Sequence, residues 1–211
     1  QVYGIPSGGT LDLRRAALLA RYQFGARDRV VAQVAHRRVG DAPRAPLLHD
    51  VSVDWLFWEH GLADATHLRV GRFAVPYGIF AETRYVATQL PFYSAPAAFY
   101  RESDFTNEAL DGVALRQDLF VERAFPVELT VYGGQLDYAE TFTLPFGPGG
   151  SWRSMTARAS ARSVTGVLAW VGTPIPGLRV GGGAARAVLR GGLRPAERRD
   201  TLVTWSASLD G

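Results

Sequence analysis

Cysteine and lysine are both absent from the 211 residues of this chain. Without cysteine there is no disulfide framework, no thiolate metal site and no cysteine nucleophile. Without lysine there is no phosphate-loop lysine, Schiff base or lysine general base, and all 23 basic residues are arginine. These two absences exclude several enzyme classes before any motif is considered.

Long apolar runs and strong net charge are missing as well. The two longest stretches without a charged residue, 85–100 and 163–178, contain two prolines each, so neither predicts a membrane helix. The formal net charge is only +3, and no block of arginines forms a strip that would bind a nucleic-acid backbone. We therefore expect no nucleic-acid partner.

The sequence does contain apolar–polar alternation of period two, which is typical of strands with one apolar and one polar face. In segment 29–37, arginine and glutamine alternate with valine and alanine. Around Val51, strict alternation places Trp55 and Phe57 on the same side as Val51 and Val53. The pattern predicts nine strands, at about 11–24, 29–38, 49–60, 66–74, 111–121, 126–135, 160–172, 178–190 and 200–210.

Short and long connections alternate along these strands. Short turns are predicted at 25–28, 61–66, 122–125 and 173–177, and long loops at 39–48, 75–110, 136–159 and 191–199. Most of the predicted strands have 9–14 residues, which is enough for the roughly 9–11 residues with which a tilted strand crosses a bilayer. This rhythm predicts an all-β fold, an antiparallel up-and-down transmembrane β-barrel, as a single domain over 1–211.

Aromatic residues precede each short turn, as in the girdle at one interface of a membrane barrel. They are Tyr22 and Phe24, then Trp55, Phe57 and Trp58, then Phe120, which parity points inward, and finally Trp170. The alternative is that these residues are ordinary core aromatics of a soluble sheet.

Three segments carry a resemblance to a known family. Leu11–Leu18, followed by Gly25 and an alternating strand, is similar to the early strand pair of phosphate-selective porin O/P-like outer-membrane porins. Leu68–Gly78 resembles the segment of that group that leads into a long loop, and Asp111-Gly112-Val113 is similar to the strand that follows. The resemblance covers about residues 11–135. It implies a trimeric barrel of the Gram-negative outer membrane, with about sixteen strands. The lysines expected for phosphate selectivity are not present.

The strand count adds a further expectation. Bacterial single-chain barrels have an even number of strands, whereas nine are predicted here. We therefore expect this chain to be a fragment of a larger barrel, incomplete at both ends.

Known catalytic motifs are not found. The sequence has no H-E-x-x-H, G-x-S-x-G or calcium-loop pattern, and its four histidines lack ligand spacing. Gly181-Gly182-Gly183 is not a dinucleotide fingerprint, because Arg186 stands where the third glycine is required. The sequence indicates neither an enzyme nor a cofactor or metal site.

The charged residues suggest a mechanism instead. Six arginines share the polar parity of their strands and would form a positive wall along the pore: Arg29, Arg37, Arg69, Arg116, Arg158 and Arg162. The loop 75–110, folding inward, would set a constriction opposite them together with the start of the next strand. Its charged residues are Glu82, Arg84, Arg101, Glu102, Asp104, Glu108 and Asp111. The alternative is that these arginines are solvated outer residues or pair locally with Asp54, Asp118 and Glu128.

Arg72 is ambiguous at this stage. Strict alternation puts it on the lipid side near the headgroups, whereas a bulge before Pro76 would turn it inward.

The sequence thus predicts an outer-membrane porin for passive diffusion of small hydrophilic solutes, including anions. Its partners would be those solutes, outer-membrane lipid and lipopolysaccharide, and two further copies in a homotrimer. Two alternatives stay open: a structural or adhesive outer-membrane barrel with a closed lumen, and a soluble all-β binding module.

Overall fold

A computed structural model describes residues 15–37, 51–78, 109–146, 151–191 and 200–210. All regular structure in these ranges is β-strand. The nine strands are β1 (Arg15–Phe24), β2 (Asp28–Arg37), β3 (Val51–Ala63), β4 (Thr66–Ala74), β5 (Ala109–Leu119), β6 (Val127–Phe146), β7 (Ser151–Gly172), β8 (Arg179–Gly191) and β9 (Asp200–Asp210).

The nine strands form one sheet in which each strand pairs antiparallel with its neighbour in the chain, in the order β1 to β9. The all-β, up-and-down prediction is therefore confirmed. Within the described residues β1 pairs only with β2 and β9 only with β8, so the sheet stays open there. Four short turns, 25–27, 64–65, 120–126 and 173–178, lie at one end of the sheet, which we call the turn end.

The two faces of the sheet differ sharply. One face, the inner face, buries a continuous apolar cluster contributed by β2 through β8, including Phe57, Phe73, Leu110, Tyr132 and Val164. Because one sheet supplies the whole cluster, it must curve around it. The opposite, outer face exposes large apolar side chains, among them Val34, Val53, Leu56, Val70, Val113, Leu115, Val131, Val167, Val180 and Val203.

A row of glycines allows this curvature. Gly71, Gly112 and Gly134 lie opposite one another on β4, β5 and β6. A Cβ on Gly112 would collide with the carbonyl oxygen of Gly133 and come within 2.8 Å of the Gly134 Cα. Only residues without a side chain let the backbones of a bent sheet approach this closely.

One prediction for β3 is wrong, because the strand contains a β-bulge. Gln33 pairs with Trp55 but Val34 pairs with Val53, so Asp54 is an extra residue in β3. A one-residue shift moves every following side chain to the other face. Trp55 and Phe57 are consequently buried on the inner face, whereas Val51 and Val53 are exposed on the outer face.

The aromatic girdle is consequently smaller than predicted. Tyr22, Phe24 and Trp58 are exposed, with the Trp58 indole donating a hydrogen bond to Asp28 at 3.0 Å. Trp170 is buried on the inner face. Phe120 does not point inward: it lies in a turn with a φ of 55° and is exposed, so strand parity does not apply to it.

The long loop predicted at 136–159 is a second correction. β6 continues to Phe146 and β7 begins at Ser151, so these strands extend as a paired ribbon well beyond their neighbours. The sequence contains the signal, because Leu136, Tyr138, Phe142 and Leu144 alternate with threonine and other small or polar residues.

Candidate functional site

The charged residues of the inner face cluster toward the turn end, around Glu59. Arg29 on β2, Glu59 on β3 and Arg69 on β4 lie directly opposite one another in the strand register. Arg29 forms an ion pair with the Glu59 Oε1. Arg69 donates to Oε2 from Nε at 3.1 Å and from Nη2 at 2.9 Å. Both carboxylate oxygens are thereby engaged, and two guanidinium groups share a single negative charge.

Aromatic rings hold Arg69 in place. Its guanidinium carbon lies 4.5 Å from the centroid of the Phe57 ring and 5.8 Å from that of Phe73. Such cation–π contacts strengthen where water is displaced, and only 13% of the Arg69 side chain is exposed. Arg69 therefore acts as a fixed support for Glu59, whereas Arg29 remains more accessible.

Arg116 belongs to a separate group on β5 and β6. Its Nε and Nη2 each donate to the Asp118 carboxylate at 3.1 Å, and Glu128 lies 3.8 Å away. This is the local pairing that the alternative interpretation of the arginines expected. Two acids surround one base here, so the local charge is negative. Further along the inner face, on β7 and β8, Arg179 stacks over the Trp170 ring at 4.6 Å.

The structure places the six wall arginines in different settings. Arg29, Arg69 and Arg116 lie on the inner face as described. Arg37 and Arg158 lie in β2 and β7, but their side chains are outside the described part of the chain. Arg162 is exposed where the register shifts between Ala161 and Ser163, which breaks the alternation behind its assignment.

Most of the predicted constriction lies outside the described residues, namely Glu82, Arg84, Arg101, Glu102, Asp104 and Glu108. Asp111 is described and lies in β5, in agreement with the predicted strand from 111, but on the face opposite the inner face. It pairs with Arg72 at 2.8 Å, and Arg72 also donates to the Val53 carbonyl oxygen at 3.0 Å. Both side chains lie on the outer face, because their strands keep strict alternation up to this point.

The start of the segment after β4 runs along the inner face. Val75 is fully buried in the apolar cluster, and Tyr77 packs against it. The Tyr77 hydroxyl donates to the Trp205 carbonyl oxygen of β9 at 3.1 Å. A contact between residues 128 positions apart shows how far the sheet curves around this segment.

Glu59 is the site residue that the sequence interpretation missed. Strict alternation from Val51 would place it with the valines on the lipid-facing side, where a carboxylate is strongly disfavoured. That conflict was the available signal that the parity of β3 must change between Val53 and Glu59. The same correction would have identified the pairing with Arg29 and Arg69.

A cleft of about 550 Å³ opens beside this cluster at the turn end. Its lining includes Arg21, Gln23, Arg29, Glu59, Asp64 and His67. The size lies within the range of small-molecule sites. Within the described ranges, no three histidine, aspartate or glutamate side chains gather as metal ligands, and no helix is long and apolar enough to cross a membrane.

No family model matches the sequence, and no curated protein is similar to it. Among solved structures, the chain is similar to a loop L8 deletion mutant of OmpT, an outer membrane protein of Vibrio cholerae. The identity is 13% and the TM-score 0.31, with 86% of this chain and 63% of that chain covered. The chain thus spans less than two thirds of that structure, and the likeness is distant.

Proposed function

We propose that this sheet is part of the wall of an outer-membrane β-barrel, and that the barrel forms a water-filled channel for small hydrophilic solutes. The observation that carries the proposal is the outer face. Its exposed valines and leucines run across all the central strands, and such a continuous apolar surface is unstable in water. The hydrocarbon of a lipid bilayer would cover this apolar surface, and strands of this length can span a bilayer when tilted.

The inner face supports the channel. The Glu59 cluster (Arg29, Glu59 and Arg69) and the Arg116 cluster (Arg116, Asp118 and Glu128) place charged groups of both signs on this face near the turn end. Such fixed charges would select among solutes in a narrow aqueous pore. The homotrimer, the contact with lipopolysaccharide and the Gram-negative outer membrane remain predictions of the same proposal.

The test is single-channel conductance of the full-length protein in a planar bilayer, with the reversal potential measured under a salt gradient. Discrete steps are expected. Glu59→Gln should shift selectivity toward anions, because it removes the negative charge shared by two arginines. Arg29→Gln should shift it toward cations. Arg186→Gln is the matched control: Arg186 lies on the outer face of β8 and should not move the reversal potential.

A second candidate function is favoured by one specific observation. The middle of the inner face is an apolar cluster in which Phe73, Val75 and Leu110 are fully buried, which is typical of a filled interior. A structural or adhesive barrel with a closed lumen would have this property. A folded protein that inserts into bilayers without conducting would establish that candidate and exclude the porin.

A further inference from the structure

We propose that the cleft at the turn end is a binding site for a small monocarboxylate, with Arg21 and Arg29 as the residues that hold the carboxylate. This deepens the proposed function by naming a solute class. Binding itself can be measured without any conduction, so the two proposals can fail separately.

Arg29 is the more enclosed of the two arginines that would hold the carboxylate. Its terminal nitrogen is engaged by Glu59, but its Nε is buried and has no hydrogen-bond partner. A buried N–H without a partner is costly, and a guanidinium edge is shaped to donate to a planar carboxylate. The Nε itself is enclosed, so a solute in the cleft would meet the exposed part of the Arg29 side chain, which is 30% accessible and lines the cleft.

Arg21 lies one strand away from Arg29, on β1. It shares the inner-face parity of Gln23, whose register partner is Arg29, and it lines the same cleft. Within the described residues Arg21 has no carboxylate partner. Two neighbouring guanidinium groups therefore line one cavity, and Gln23 and His67 add polar groups to its wall.

The charge balance of the residues that line the cleft favours a monoanion. The lining carries three arginines, Arg21, Arg27 and Arg29, and three acids, Asp28, Glu59 and Asp64. Arg69, behind Glu59, adds one further positive charge. The single excess positive charge that results would balance the negative charge of one carboxylate. A dianion would bring a second negative charge close to Glu59 and Asp64.

The test uses propionate as the probe and the full-length protein in detergent micelles, with binding followed by saturation-transfer NMR. Arg21→Gln and Arg29→Gln should each weaken propionate binding about tenfold, the effect of losing one charge-assisted hydrogen bond. Arg186→Gln, which removes the same charge from the outer face, should leave binding unchanged. Methylammonium should not compete, and succinate should compete less well than propionate.

Two results would overturn the inference. One is no saturable propionate binding by the wild-type protein. The other is equal weakening by Arg186→Gln, which would mean that only overall charge matters. If the protein conducts but does not bind propionate, the binding site is contradicted and the channel is supported. If it binds propionate through Arg21 and Arg29 but does not conduct, the channel is contradicted and the binding site is supported.

Discussion

At the scale of single residues, small side chains determine how the inner face packs. Gly166 lies under the ring of Tyr132, and Gly181 lies under the indole of Trp170, where a Cβ would overlap the aromatic atoms. In β4, β5 and β6 the glycines make room for backbone instead. The high glycine content of the sequence therefore reflects the curvature of the sheet and not flexible loops alone.

A matched pair of glycines tests this explanation. Gly112→Ala should destabilise the protein by about 1–3 kcal/mol, because its Cβ would meet backbone atoms that cannot move aside. Gly133→Ala should change stability by no more than about 0.5 kcal/mol. Its Cβ would lie 3.6 Å from the nearest atom, the Val164 carbonyl oxygen. Urea unfolding of the detergent-refolded protein measures both, and equal effects would contradict the close-packing argument.

At the scale of elements, the bulge in β3 decides which chemistry faces inward. It places Trp55, Phe57 and Glu59 on the inner face after Val51 and Val53 on the outer face. Without it, Val51 and Val53 would share one face of the sheet with Glu59. The extra residue, Asp54, is itself buried and accepts hydrogen bonds from Gln33 at 3.0 Å and Ser52 at 3.1 Å. These bonds stabilise the irregularity.

A spin-label scan of β3 tests the bulge, and the absence of native cysteine makes single-cysteine variants straightforward. In bilayers, labels at Val53→Cys, Leu56→Cys and Trp58→Cys should be accessible to oxygen dissolved in lipid. Labels at Trp55→Cys and Phe57→Cys should be shielded. If labels at positions 53, 55 and 57 instead show the same accessibility, β3 alternates regularly and has no bulge.

At the scale of the whole molecule, the outer face determines the solvent that the fold requires. Its apolar side chains lie on consecutive strands and remain exposed in the described ranges. Burying such a surface stabilises by roughly 25 cal/mol for each Å² removed from water. On the inner face, by contrast, the apolar cluster is already buried within the protein. The sheet therefore carries apolar residues on both faces, and only those of the outer face are exposed.

The tryptophans report directly on this arrangement. In vesicles with brominated lipids, single-tryptophan variants that retain Trp58 or Trp205, which are 37% and 78% exposed, should be strongly quenched. Variants that retain Trp55 or Trp170, which are 7% and 5% exposed, should be quenched weakly. Uniform weak quenching, together with a protein that stays monodisperse without detergent, would favour the soluble binding module.

The sequence by itself determined the number, order and antiparallel pairing of the strands. Period-two alternation and short turns are local signals, because a strand's faces and its hairpin partner depend on neighbouring residues. The bounds of β4 and β9 agree with the sequence prediction, and most others differ by only a few residues. The inner-face positions of Arg29, Arg69 and Arg116 also follow from parity alone.

Only the tertiary structure decided how those charges combine. No motif marks the inserted residue in β3, and the sequence signals it only by the carboxylate that strict alternation would place among the valines. The strand register locates the extra residue at Asp54 and sets Glu59 between Arg29 and Arg69. The cleft likewise needs side chains from β1 to β4 in one place. The alternation within one strand does not show which of its residues is the extra one at a bulge, and the curvature depends on pairings between distant segments.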